Sequence, residues 1–423
     1  MPALLAVTLC GACFAQAAQQ ESAPVQSQRM MPVQQTPPHA AFVQEMDSDA
    51  QAQKDIPADP LFQADPLQPV LGPLNGGLHQ LSARYRLTVG AAYTLLSQYS
   101  HNVVPEAPRH QQFSGRLDFN GSWVFHQKGG NRGSLNFLVR SGTNIGTSQQ
   151  WDLSDAVGAA NFIQCLQATG PQRPITLNLL YWRQDMLNGR LALYVGKIHP
   201  NDFMGLSPVN NDETRQFLAG TYDGNFANPY SGAYSSGGAL AYQLNRKWYA
   251  HLVTVDTEGT AYTGPQTIAH GHFYEGLEVG YKNGVLGKGD QIYRVGVWRD
   301  DTKNRGSGYG VYGEVDHEFR AWVVFGRMGV APSRGTTAKH TEGLGFAHIR
   351  PFGRRGDMFG AAFSSVSPQD TSKRMEQLYE MFYRARINRS TEFGPDFQIV
   401  IDPANDRRLD GTVVMGFRLR VVL

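Results

Sequence analysis

FSGRLDFNGSWVFH, residues 113–126, alternates in character along its whole length. Phe113, Leu117, Phe119, Trp123 and Phe125 share one face with Gly115 and Gly121. Ser114, Arg116, Asp118, Asn120 and Ser122 share the other. A period of two marks a strand with one apolar and one polar face. In a soluble sandwich the apolar face would be the core. In a membrane barrel it would face lipid, and the charged face would line water.

Working outward, similar segments recur at about 85–97, 113–126, 133–141, 174–183, 189–197, 235–244, 247–256, 271–282, 290–299, 308–317, 320–329, 340–350, 357–366, 378–388, 393–401 and 412–422. The connections between them choose the fold. After even-numbered strands they are short: 127–132, 184–188, Asn245-Arg246, 283–289, 317–319 and 389–392. After odd-numbered strands the early ones are long: 98–112, 142–173, 198–234 and 257–270. Tight turns at one rim and long loops at the other is how outer-membrane barrels are built, and a sandwich has no reason to sort its loops. The expected fold is therefore all-β, a transmembrane antiparallel barrel of about sixteen strands. The last segment, VVMGFRLRVVL, puts Val413, Met415, Phe417, Leu419, Val421 and Leu423 on one face and Arg418 and Arg420 on the other. Such a strand can close on the first.

The longest connection, 198–234, is rich in Asn, Asp, Gly and Pro, yet it carries Phe203, Met204, Phe217, Leu218 and Phe226. A loop that long in a compact domain is usually functional or disordered. Its apolar residues argue that it folds back and packs, as an inward-folded third long loop that narrows a channel.

Composition agrees with a barrel. Only 17 % of the 423 residues are charged, against roughly 25 % in soluble domains. The net charge of +2 gives no reason to invoke nucleic acid. After residue 17 no run approaches the ~18 apolar residues of a spanning helix, which excludes a helical membrane protein and leaves a β-barrel open. Residues 1–17 read as an export signal, an apolar run ending in Ala15-Gln16-Ala17, although the first basic residue is Arg29. Residues 18–74, rich in Gln, Ala and Pro, read as a flexible arm, and 75–423 as the barrel domain. Beyond Cys10 and Cys13 only Cys165 remains, so no disulfide is expected in the exported chain.

Several stretches resemble the carbohydrate-selective porins, the glucose-porin-like channels of Gram-negative outer membranes. They are LNLLYWRQDMLNGRLALYVGKIHPNDF (177–203) with Phe226-Ala227-Asn228, GRRGDMFGAAFS (353–364), and 376–423 with its Pro-Asp-Phe-Gln…Asp-Pro-Ala order at 395–404. The resemblance implies a sixteen-stranded barrel, a constriction shaped by the third long loop, and passive diffusion of sugars. The terminal Leu423 departs from the aromatic residue usual there.

Sugar selectivity needs hydroxyl-matching donors and acceptors with apolar faces for the sugar rings. Inward parity nominates Arg116, Asp118 and Asn120, then Arg140, then Glu314 and Asp316, then Glu380, Arg384 and Arg386, and finally Arg418 and Arg420. The loop adds Asp202, Asn210, Asn211, Asp212, Glu213, Arg215 and Asn225, with Phe203 or Phe226 as a stacking face. Gly308–Gly313 spells G-x-G-x-x-G but lies inside an alternating strand, so it fails the context of a nucleotide site. His270 and His272 would share a strand face without a further ligand nearby. The expected protein needs no cofactor, metal or catalytic residue. Its partners would be carbohydrate solutes, outer-membrane lipid, the barrel-assembly machinery and a candidate homotrimer, and its location the bacterial outer membrane. The rival readings are a secreted β-rich binding protein and an outer-membrane barrel hydrolase.

Overall fold

The computed structural model describes residues 59–146, 153–161, 163, 166, 175–302, 306–332, 336 and 338–423. The expected signal and the arm up to residue 58 lie outside them, as does Cys165. Sixteen strands follow one another: Leu87–Ser100 (β1), Gln111–Lys128 (β2), Asn131–Asn144 (β3), Ile175–Met186 (β4), Leu191–Ile198 (β5), Ser235–Gln243 (β6), Trp248–Asp256 (β7), Phe273–Asn283 (β8), Gln291–Thr302 (β9), Gly306–Phe319 (β10), Trp322–Val330 (β11), Ala338–His348 (β12), Met358–Pro368 (β13), Glu376–Arg386 (β14), Thr391–Ile401 (β15) and Gly411–Val422 (β16). Each pairs antiparallel with its neighbours in the chain, and β1 closes on β16 with Tyr93 opposite Val421. Closure leaves no open edge, which is what allows a sheet to cross lipid with its backbone satisfied.

The faces sort as the alternation requires. Tyr93, Phe113, Phe119, Trp123, Trp248, Tyr309, Trp322, Tyr379 and Phe417 are exposed. They form the outer apolar surface, and no helix among the described residues is long and apolar enough to cross a membrane. The opposite parity carries Arg116, Glu278, Arg294, Glu314, Arg327, Glu380, Glu392 and Arg418, all buried inside. A soluble sandwich would have the reverse.

The structure corrects the sequence reading in four places. His317–Phe319 is the end of β10 and not a turn, because Glu318 is held by backbone N–H groups of Gly287, Gly289 and Asp290. His270 and His272 lie in the connection before β8 and so share no strand face. Residues 68–74, expected in the flexible arm, belong to a helix, α1 (Gln68–Tyr85). Gly72, Pro73, Gly76 and Gly77 hide it from propensity. The segment before α1 is tied to the short-turn rim, where Asp59 pairs with Arg355 at 2.8 Å and Ser390 donates to Asp65 at 2.8 Å. The fourth correction concerns the interior, where two loops rather than one pack inward.

Candidate pore constriction

The connection between β5 and β6, residues 199–234, bonds to inward-facing side chains around most of the barrel. Along it, the Gly205 N–H donates to Glu278 on β8 (2.7 Å) and Ser207 donates to Asp316 on β10 (2.5 Å). Arg294 on β9 reaches the Leu206 carbonyl. Arg327 on β11 donates to the carbonyls of Thr221, Tyr222 and Gly224 at 3.0–3.1 Å and to Asn210. Those carbonyls belong to the short helical turn Gly220–Asp223 and its C-cap Gly224, and the C-terminal carbonyls of a helix suit a cation. Glu380 on β14 accepts the N–H groups of Leu218 (2.5 Å) and Ala219 (3.0 Å). Arg418 on β16 donates to the Glu213 carbonyl at 2.8 Å.

Apolar residues complete the seat. Phe217 stacks edge-on against Phe325 (5.5 Å) and Phe382 (4.8 Å), and Phe203 against Tyr194 (5.0 Å). Two wall glycines make room. A Cβ at Gly360 would lie 2.9 Å from the Phe217 ring, and one at Gly329 2.8 Å from the Ala227 Cβ. The second inward loop, between β3 and β4, contributes Leu153, Ala156, Val157 and Ile163 to the same apolar cluster. Glu376 holds it through the N–H groups of Ala160 (2.6 Å) and Asn161 (2.8 Å), and Asn161 in turn donates to Thr221 at 3.0 Å. Sequence reading missed the inward packing of this loop because its apolar residues are interspersed with polar ones.

Three charge clusters line the interior. On β2 and β3, Asp118 bridges Arg116 (3.0 Å) and Arg140 (2.8 Å), with Arg116 also on Glu213 and Arg140 on the Tyr234 hydroxyl. On β9–β11, Arg294 pairs with Glu314 (3.2 Å) and Asp316, and Arg327 lies 3.9 Å from Glu314. On β14–β16, the Glu392 carboxylate sits among Arg215 (3.3 Å), Arg420 (3.5 Å), Arg386 (3.6 Å) and Arg384 (4.0 Å). Around Glu392 the cations outnumber the carboxylate that pairs with them.

The loop's own titratable groups respond to this setting. Burial, with Arg140 adding to it, pulls His199 down to about 3, so its ring is neutral and Nδ1 accepts the Asn201 N–H at 3.0 Å. Burial pushes Tyr234 up to about 12 despite the nearby Arg140. Burial and then Glu213 raise Asp223 well above the usual carboxylate range.

The sequence-nominated residues divide accordingly. Arg116, Asp118, Arg140, Glu213, Arg215, Glu314, Asp316, Arg384, Arg386 and Arg420 meet in the three clusters. Glu380, Arg418, Asn210 and Asn225 are spent on holding loop backbone or wall partners. Phe203 is 1 % exposed and is an anchor under the loop, so it offers no sugar-stacking face, while Phe226 stays half-buried. Asp202 and Asp212 are half-buried on the loop, Asp212 binding the Thr214 hydroxyl at 2.6 Å, and Asn120 is half-buried on β2. The reading missed Glu278, Arg294, Arg327, Glu392 and Asp396. The parity of β15, with Phe393 and Phe397 outward, would have found Glu392 and Asp396.

Comparison with known proteins follows the geometry. Residues 297–423, from within β9 to the end, match the family described as carbohydrate-selective porin, OprB family. No curated protein matches the sequence. Among solved structures, OprB of Pseudomonas putida at high pH superposes with a TM-score of 0.67 at 12 % identity, covering 83 % of this chain and 97 % of that one. Its low-pH form gives 0.51 at 13 % identity, covering 84 % and 98 %. A mutant Rh. blastica porin gives 0.52 at 12 % identity, covering 80 % of this chain and all of that one.

Proposed function

We propose that this chain is an outer-membrane carbohydrate porin, a reading supported by the family match over residues 297–423 and by the porin-barrel fold, and that sugars diffuse passively through a lumen narrowed by loop 199–234. The observation that carries this reading is the ring of bonds from Glu278, Arg294, Arg327, Glu380 and Arg418 to the loop. Those side chains face inward, so the loop they hold crosses the water path.

Selectivity belongs to the charges that remain half-buried beside the loop: Asp118, Arg140, Asp212 and Arg215. Both signs are present at close range, so a polar neutral solute can donate and accept without displacing a bulk counterion. Phe226 supplies an apolar face. The chain uses no cofactor and performs no chemistry in this reading. Lipid surrounds the outer aromatic surface, the barrel-assembly machinery inserts the chain, and a homotrimer is its assembled form.

The test is single-channel conductance of refolded full-length protein in a planar bilayer while glucose and maltose are titrated in. Discrete steps blocked by sugar support the reading. Steps insensitive to either sugar, from a barrel of verified folding, overturn its selectivity.

A further inference from the structure

A cavity of about 520 Å³ opens at the long-loop rim, between the end of loop 199–234 and the connection after β7. Its lining includes Asn178, Tyr234, Thr257, Glu258, Thr260 and Tyr262. We propose that this cavity is an entry subsite for neutral sugars, upstream of the constriction; the proposal rests on the carbohydrate-porin reading and adds a second place of recognition to it.

Three observations carry it. First, the lining combines phenol rings with hydroxyl, amide and carboxylate groups, the mixture that recognises a sugar's apolar face and its hydroxyls together. Tyr262 is exposed, with its ring at the cavity. Second, the Thr257 hydroxyl is buried and has no hydrogen-bond partner among the described residues. Buried polar atoms are normally satisfied, and a sugar hydroxyl in the cavity would satisfy this one. Third, the cavity leads on to the charges. Tyr234 bonds through its hydroxyl to Arg140, which holds Asp118 at 2.8 Å.

The lining also chooses among sugars. It holds one carboxylate, Glu258, and no lysine or arginine. An entry subsite of this kind admits neutral sugars and disfavours sugar phosphates through the Glu258 charge.

The test compares block of single channels by glucose and by glucose 6-phosphate, in wild type and in Tyr262→Ala, Thr257→Val and Glu258→Gln. Tyr262→Ala should raise the half-blocking glucose concentration roughly fivefold, the size of one aromatic contact. Thr257→Val should raise it by less, and Glu258→Gln should narrow the preference for glucose over its phosphate. A wild type blocked by glucose as strongly as Tyr262→Ala and Thr257→Val overturns the subsite while leaving the porin reading intact. A wild type blocked by neither sugar overturns the porin reading and the subsite with it.

Discussion

The two longest fully described loops follow β5 and β7, and they are built on opposite principles. Loop 199–234 buries Phe203, Met204, Phe217, Leu218 and Tyr222 against the inner wall and is held there by six charged side chains. The connection 257–272 buries no large apolar side chain. It is held by Asp256, which accepts the Thr267 hydroxyl (2.5 Å), the Thr267 N–H (2.8 Å), the Glu258 N–H (3.1 Å) and the Gln266 N–H, and by Lys197, which donates to the Ala261 (2.9 Å) and Thr263 (3.1 Å) carbonyls. The first loop packs into the barrel's core; the second stays at the rim. Apolar content, more than length, decides which loop enters a barrel, because burying Phe or Leu is what offsets the entropy of ordering a long segment.

The sharpest way to break the contrast is Arg327→Ala. It frees three carbonyls of the loop and leaves Glu314 with less compensation in a buried setting. Breaking such a pair costs about 3–5 kcal/mol. The expected result is a larger single-channel conductance and a lower unfolding temperature in detergent. Unchanged conductance would mean the loop is held without its cation. Next in size, Gly360→Val overpacks the Phe217 seat at a cost of about 1–3 kcal/mol. It should raise conductance partway, whereas the same substitution at Gly264, where a Cβ meets nothing within 4 Å, should not.

Asp256→Asn addresses the other loop. It should loosen 257–272 by about 2 kcal/mol, seen as faster hydrogen exchange there with 199–234 unchanged. Exchange that rises in both loops would dissolve the distinction.

The smallest effect concerns the exposed network at the same rim, where Arg408 holds Glu106 at 2.6 Å and Asp406. Its hydrogen bonds to Arg408 hold Asp406 at about 2. A depressed carboxylate stabilises above its unfolded value and loses that contribution as pH falls through its folded one. The thermal difference between wild type and Arg408→Ala should therefore persist at neutral pH and vanish between about pH 4 and pH 2. Being exposed, it should also shrink with salt.

The barrel was legible because alternation is local. Each strand announces its two faces, and the sorting of loop lengths counts the strands. That the third loop packs was legible too, from Phe203 and Phe217, which are both buried. Its partners were only half legible. Arg327 sits between Phe325 and Gly329 on a mostly apolar face, so parity gives no sign that a cation is needed there. Helix α1 was hidden by its own glycines and Pro73, and the cavity at the second loop's rim arises from Asn178, Tyr234 and Thr257, which no spacing relates.

The central claim is that loop 199–234 lies in the water path and sets its width. Shortening residues 203–226 to a brief Gly/Ser link, with barrel folding verified by heat-modifiable electrophoretic mobility, and recording single-channel conductance with glucose titrated in, tests it directly. A clear rise in conductance together with loss of sugar block is the predicted result. A folded barrel whose conductance and sugar block are both unchanged would contradict it.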